Sequence, residues 1–394
     1  GVMAGALNWV LKDGVGQLGG VLFASWAGRT WQRGIDSHPK QWRIVSAACL
    51  DGSNFMDILS PLLLLPHHAA WVLPAACVSN TLKNIGFLSV GASRAALHQA
   101  LCRKRNLGDV TAKAGTQAMM AGLLGTALGI GLSAFCLDTT AATMAATTSA
   151  AAASPAWSYL VGFSVLSGIH QGLNYWSLRF VPLDSLNPQR MNIVLEDYLG
   201  KLLDDKSNQN GTFTAALSED IAPLTPLQVA QQESYLTEPL LSSSSWLFVG
   251  SPVATLAPGG PAEWNRLVAV LPNERYVLNV VHDATSMSSN SSNNQTRNGT
   301  RQIHLTWFQQ ATGEDVLRGV LHAHLLHRQL LENGCDDGES SVDFIARTQR
   351  ALETNDWFRS SFLERLKQAG WKTERTAIEP RDAVRIFIPQ RETQ

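Results

Sequence analysis

A chain of 394 residues, 45% hydrophobic and 16% charged, is long enough for two or three domains and too polar on average to consist of membrane spans alone. Its net charge of −1 conceals a division, because residues 1–182 carry 12 Lys and Arg against 6 Asp and Glu, leaving 19 against 26 for the remainder. The basic residues stand at the ends of apolar segments, with no stripe and no aromatic platform, which argues against a nucleic-acid partner.

Residues 4–27, AGALNWVLKDGVGQLGGVLFASWA, read as an apolar helix interrupted by Lys12, Asp13 and Gln17. Gly16 and Gly20 form a GxxxG spacing, which lets another helix backbone approach closely. After a polar connection, Pro39 is placed to open a second helix. That helix carries Asp51, Asn54 and Asp57 at intervals of three, a polar stripe ahead of the apolar run 58–65. Such a stripe is either a contact at a bundle interface or, with its paired carboxylates, a proton relay or cation site. Pro66 and Pro74 predict a break in the chain. His67 and His68 are adjacent, so a regular helix cannot aim both at one metal. Asn80, Lys83 and Asn84 then share a face, and Lys83 is placed to complement the Asp51/Asp57 stripe.

Residues 91–135 organise this half. A helical segment ends in Arg103, Lys104 and Arg105, a polar connection runs from Asp109 to Lys113, and residues 114–137 carry no charge, which makes them a span candidate. Residues 138–155, rich in Ala and Thr, read as a loop or frayed helical insert. Residues 156–178 are a further uncharged span candidate with His170, Gln171 and Asn174 as a polar patch. Gly125 and Gly129, and again Gly168 and Gly172, repeat the close-packing spacing. The expected fold is therefore an α-helical, membrane-embedded bundle of about four to five apolar helices over residues 1–182, with the lipid bilayer as partner. A smaller soluble α+β domain is expected to follow.

From Pro182 the character changes. Residues 183–240 read as an amphipathic helix and linker, and residues 241–394 as the α+β domain. Strands are expected in SSWLFVGSPVATL, RLVAVLPNERYVLNVV, QIHLTWF and AVRIFI. Helices are expected over 315–331 and 341–369, the second capped by Gly370. His324 and His327 share a helix face, yet no carboxylate or cysteine completes a metal set beside them. Asn210, Asn290, Asn294 and Asn298 satisfy the glycosylation sequon, a cheap match in Asn/Ser-rich tracts. Cys49, Cys77, Cys102, Cys136 and Cys335 form no CxxC pair, so free thiols are expected and no metal or cofactor is predicted. There is no phosphate loop, GxSxG or HExxH. The chain begins at Gly1, which leaves room for a presequence upstream.

The words NWVLKDGVGQLGGVLFASWAG, PKQWR, CVSNTLKNIGFLSVGASRAALHQAL, NLGDVTAKAGTQAMMAGLLG and LDSLNPQR, in this order over roughly residues 8–200, resemble the root UVB sensitive (RUS) family. TPLQVAQQESYL and QAGWKTER extend the likeness more loosely. The chain departs from the family at Lys113-Ala114, where Lys-Asp is usual, and at AACLDGSNFMDIL. The resemblance implies a membrane-associated organellar protein, plastid if from a plant or alga, tied to UV-B response, auxin and vitamin B6 homeostasis, with no catalytic residues to carry over. The resulting expectation is a non-enzymatic protein acting through partners, including a homo- or hetero-oligomer with another RUS-family chain. Two alternatives stand beside it. One is a carrier whose polar path uses Asp13, Asp51, Asn54, Asp57, Lys83, Asn84, Lys113 and His170; in the other the soluble domain binds pyridoxal phosphate or an enzyme that uses it.

Overall fold

The computed structural model describes residues 2–30, 35–64, 68–102, 106–146, 155–209, 221–235, 246–282, 301–333, 341–353, 358–374, 376–379 and 383–387. His67, Arg103 to Arg105, the sequon asparagines, Cys335 and residues 147–154 lie outside them, as do the side chains of Cys136 and residues 138–146. The chain divides into two compact units, the first from residues 1–30 with His38–Val181, the second from Pro182–Gln394 with residues 35–37.

Among the described residues the elements of the first unit are all helical: α1 (Val2–Thr30), α2 (Pro39–Leu64), a 3₁₀ turn (Ala69–Trp71), α3 (Val72–Leu101), α4 (Leu107–Ala146) and α5 (Pro155–Leu178). The break expected between Pro66 and Pro74 is there. α2 ends at Leu64, and Pro74 falls in the first turn of α3, where its missing N–H costs no helical bond. Small residues set the spacing of the helices. A methyl added at Gly16 would lie 2.3 Å from Asn80 Nδ2, and one at Gly20 would lie 3.1 Å from Asn84 Cβ. α1 and α3 therefore run side by side in the same direction. Gly86 of α3 lies against Leu50 of α2 in the opposite sense, and Phe23 meets Trp42 at 6.2 Å between ring centres.

Two expectations are corrected here. Among the described residues no helix is long and apolar enough to cross a membrane, so the membrane-embedded bundle does not stand, and the bilayer loses the spans on which it rested as a partner. The reason lies in the side chains. α1 carries Lys12, Asp13 and Gln17, α2 carries Asp51 and Asp57, and α3 carries Asn80, Lys83 and Asn84. The uncharged stretch of α4 is diluted by Gly115, Thr116, Gln117, Gly122, Gly125, Thr126 and Gly129. The second correction concerns packing: among the described residues nothing stands within 4 Å of where a Cβ would be at Gly125, Gly129, Gly168 or Gly172, so these residues do not make the close approach expected at them.

The second unit begins with α6 (Pro188–Gln209) and α7 (Pro226–Gln232), the latter opened by a capping box between Thr225 and Gln228 with Pro226 at its first position. Three strands, β1 (Leu247–Val249), β2 (Tyr276–His282) and β3 (Arg301–Trp307), form a sheet in the order β1-β3-β2. β1 runs parallel to β3, and β2 antiparallel to it with Leu278 opposite Leu305. Two short helices, α8 (Val253–Leu256) and α9 (Pro261–Val270), lie between β1 and β2. After the sheet come α10 (Gly313–Asn333), α11 (Ser341–Glu353), a π-helical turn (Phe358–Leu363) and α12 (Glu364–Gln368). α10 reaches the sheet because Gly319 lets Trp307 and Tyr276 approach within 3.0 and 3.2 Å of where a Cβ would stand.

Several segments depart from the strand and helix expectations for local reasons. Gly250, at φ 76°, and Pro252 end β1, so VATL becomes one helical turn. Pro261 starts α9 and takes RLVAV into it. The helix expected over 341–369 is divided, and Gly370, at φ 99°, closes its last piece. AVRIFI contributes a single bridge, between Ile386 and Phe308.

Candidate functional site

The polar side chains of the first unit converge from four helices. Asp57 on α2 is paired with Lys83 on α3, and its Oδ1 accepts from Ser79 Oγ at 2.5 Å. The Ser79 hydroxyl has one proton and also faces the Ser53 carbonyl at 2.9 Å, so the charged acceptor takes it. Asn80, one residue on, donates to Lys12 O at 3.1 Å and to Asp13 Oδ1 at 3.2 Å, which ties α3 to α1. Asn84 donates back to the Asn80 carbonyl at 2.8 Å. Lys12 itself lies over the Trp9 ring, 4.1 Å from its centre.

One and a half turns earlier on α2, Asp51 faces α5. Its Oδ2 accepts from Gln171 Nε2 at 2.7 Å and lies 3.0 Å from His170 Nδ1. Both carboxyls are pushed up by burial, and both end below the ordinary carboxylate value. At Asp51, bonds from His170, Ser167 and Gln171 outweigh burial; at Asp57, those from Lys83 and Ser79, with the charges of Lys83 and Lys12, do so. Both are carboxylates at neutral pH; Asp57 has both oxygens engaged, and Asp51 has His170 and Gln171 on Oδ2.

Of the residues singled out in the sequence, the structure brings Asp13, Asp57, Lys83 and Asn84 into one polar cluster and Asp51 and His170 into another, with Asp57 and Asp51 the α2 members. Asn54 is exposed on α2 outside both clusters, and Lys113 is exposed on α4. Sequence reasoning missed Ser79 and Ser167. The signal was available: Ser79 stands four before Lys83, and Ser167 stands three and four before His170 and Gln171, so each shares its partner's helix face. Among the described residues no three of His, Cys, Asp and Glu stand close enough to hold a metal. The arrangement fixes charge and orients helices.

The family model described as the vitamin B6 photo-protection and homoeostasis domain matches residues 1–201, half of the chain and all of this network. The chain belongs to the root UVB sensitive family. Among relatives of this RUS chain, protein root UVB sensitive 3 of Arabidopsis thaliana is 26% identical over 95% of the chain and 71% of its own length. Protein root UVB sensitive 2, chloroplastic, from the same plant is 24% identical over 94% of the chain and 70% of its own length. RUS family member 1 of Dictyostelium discoideum is 26% identical over 50% of the chain and 33% of its own length. No solved structure matches the chain.

Proposed function

We propose that this RUS chain serves vitamin B6 homeostasis and the UV-B response in a plastid, without catalysing a reaction, by assembling with a second copy of itself or with another RUS chain. The plastid assignment rests on the relative whose name is chloroplastic. The observation that carries the assembly is the apolar surface inside the family-matched segment. Leu123, Leu124, Leu128 and Ile130 on α4 are 65–74% exposed, and Val161, Val165, Leu166 and Leu173 on α5 are 58–62% exposed. Exposed apolar areas of that extent mark places where another molecule docks. The carrier alternative is set aside, because it needed membrane-crossing helices.

Light scattering on the purified full chain tests the reading, with Leu123→Glu/Leu128→Glu as the comparison. Both side chains stand clear of the described core, so their replacement leaves helix content unchanged. The proposal expects a defined oligomer, or a complex with another RUS chain, that dissociates in the double variant. A monomer that captures no RUS chain would overturn it.

A further inference from the structure

Three basic side chains of the first unit, Arg43 on α2 and Arg94 and His98 on α3, gather away from its two polar clusters. α2 and α3 run in opposite senses, with Ser79 at Ser53 and Gly86 at Ser46. Arg43, one turn before Ser46, therefore falls against the last turns of α3, where Arg94 and His98 share a face four residues apart. Thr111 brings α4 to the same place, its Oγ1 3.1 Å from His98 Nδ1.

The three side chains repel one another. Burial and then the Arg94 charge lower the pKa of Arg43; burial, then Arg94, then Arg43 lower that of His98. Among the described residues no hydrogen bond or ion pair engages either guanidinium, although Arg43 is half-buried. A charge drawn out of water is ordinarily paired. No described carboxylate is to spare for it. Asp51 and Asp57 are held by their own partners, Asp13 by Asn80, and Asp109, in the first turn of α4, acts on neither Arg43 nor His98.

We propose that Arg43, Arg94 and His98 bind a phosphate monoester, one terminal oxygen to each, where α2, α3 and α4 meet. Its two charges match the two guanidinia, and its three free oxygens give each of the three donors an acceptor, which a planar carboxylate with two oxygens does not. Thr111 suits His98 to the task in either charge state. Its hydroxyl donates to Nδ1 of the neutral ring and accepts from Nδ1 of the imidazolium, so Nε2 is the donor to the anion in both. The inference stands apart from the assembly proposed above.

The test titrates the full chain with glycerol 3-phosphate while the His98 ring is followed by NMR. The His98 midpoint should rise and saturate, because a bound dianion favours the imidazolium. Arg43→Gln and Arg94→Gln should each weaken binding by about tenfold, the loss of one charge-assisted bond. Arg94 is exposed, so that variant keeps the fold. Lys113→Gln removes an equally exposed cation two residues beyond Thr111 and should leave the affinity unchanged. Dihexanoyl phosphatidic acid separates the two sources of such a group: tighter binding than glycerol 3-phosphate assigns the site to a lipid headgroup, equal or weaker binding to a soluble ester. An unmoved His98 midpoint, acetate binding as tightly as the phosphate, or Lys113→Gln weakening it as much as Arg94→Gln would overturn the proposal.

Discussion

His322 shows how completely a buried polar side chain can be accounted for. Thr348 Oγ1 spends its proton on the Phe344 or Ile345 carbonyl, at 3.1 and 3.0 Å, so it accepts from His322 Nε2 at 2.6 Å. Nδ1 is then the acceptor and takes the Tyr276 hydroxyl proton at 3.0 Å. The neutral ring is satisfied at both nitrogens. Burial, with the Arg318 charge nearby, lowers its pKa to about 3. The unfolded ring takes up a proton near its ordinary value of about 6.5, so the unfolded state binds more protons below that pH. This contribution to stability is whole above about pH 6.5 and is lost toward pH 3, at up to about 1.4 kcal/mol per pH unit. Urea midpoints between pH 7 and 4 should fall less steeply in His322→Gln; equal slopes would refute the assignment. Asp57 is the opposite case, a carboxyl held low by its partners. Its stabilisation exists above the ordinary carboxylate range and is lost as pH falls through its own lowered value. In Lys83→Met the Asp57 midpoint, read by carboxyl NMR, should rise. Because the Asp57 side chain is 39% exposed, stability should change by only about 0.2–1 kcal/mol.

At the scale of elements, the same GxxxG spacing has two outcomes. In α1 it meets a partner: a methyl at Gly16 would stand 2.8 Å from Asn80 Cγ and 3.0 Å from Asn80 Cβ, so α3 would have to move. In α4 a methyl at Gly125 would meet nothing. Gly16→Ala should therefore destabilise by about 1–3 kcal/mol through overpacking. Gly125→Ala should stabilise by about 0.5–1 kcal/mol through helix propensity. Thermal melts of the two variants with opposite shifts would verify the contrast; destabilisation by both would place the assembling chain proposed above against Gly125 itself. α1, α2 and α3 are thus held by fit and by polar ties, while α4 presents its apolar side chains outward.

At the scale of the molecule, the family-matched segment ends at residue 201, inside α6. The apolar face of α6 is buried in the core of the second unit, with Met191, Val194, Leu195 and Leu202 at most 1% exposed and the Tyr198 and Phe362 rings 5.1 Å apart. Arg190 is likewise buried, bonded to Glu233 at 2.5 Å and to the Ser185 carbonyl at 2.5 Å. A fragment cut at residue 201 lacks Glu233 and Phe362. Trypsin should cleave after Arg190 in that fragment and spare the same bond in the full chain, as mass spectrometry of the digests would show. Equal protection in both would mean that α6 folds without its core.

The order of helices, the break near Pro66, the change of character at Pro182 and the possible meeting of Lys83 with Asp57 were all legible, because they depend on proline chemistry, charge and the 3.6-residue repeat within single segments. Ser79 and Ser167 were not picked out, since a hydroxyl in an apolar helix bears no mark of its partner until another helix supplies it. The π-helical turn at Phe358–Leu363 within the expected helix 341–369 escaped notice for a similar reason, since the apolar periodicity carries no mark of it. The sequence by itself determined the family, the two-part composition and the sites of charge. Only the tertiary structure decided which glycines are contacts, which carboxylates are paired and that Arg43, Arg94 and His98 stand together. These depend on distances between segments far apart in the chain, and periodicity within a segment carries no information about such distances.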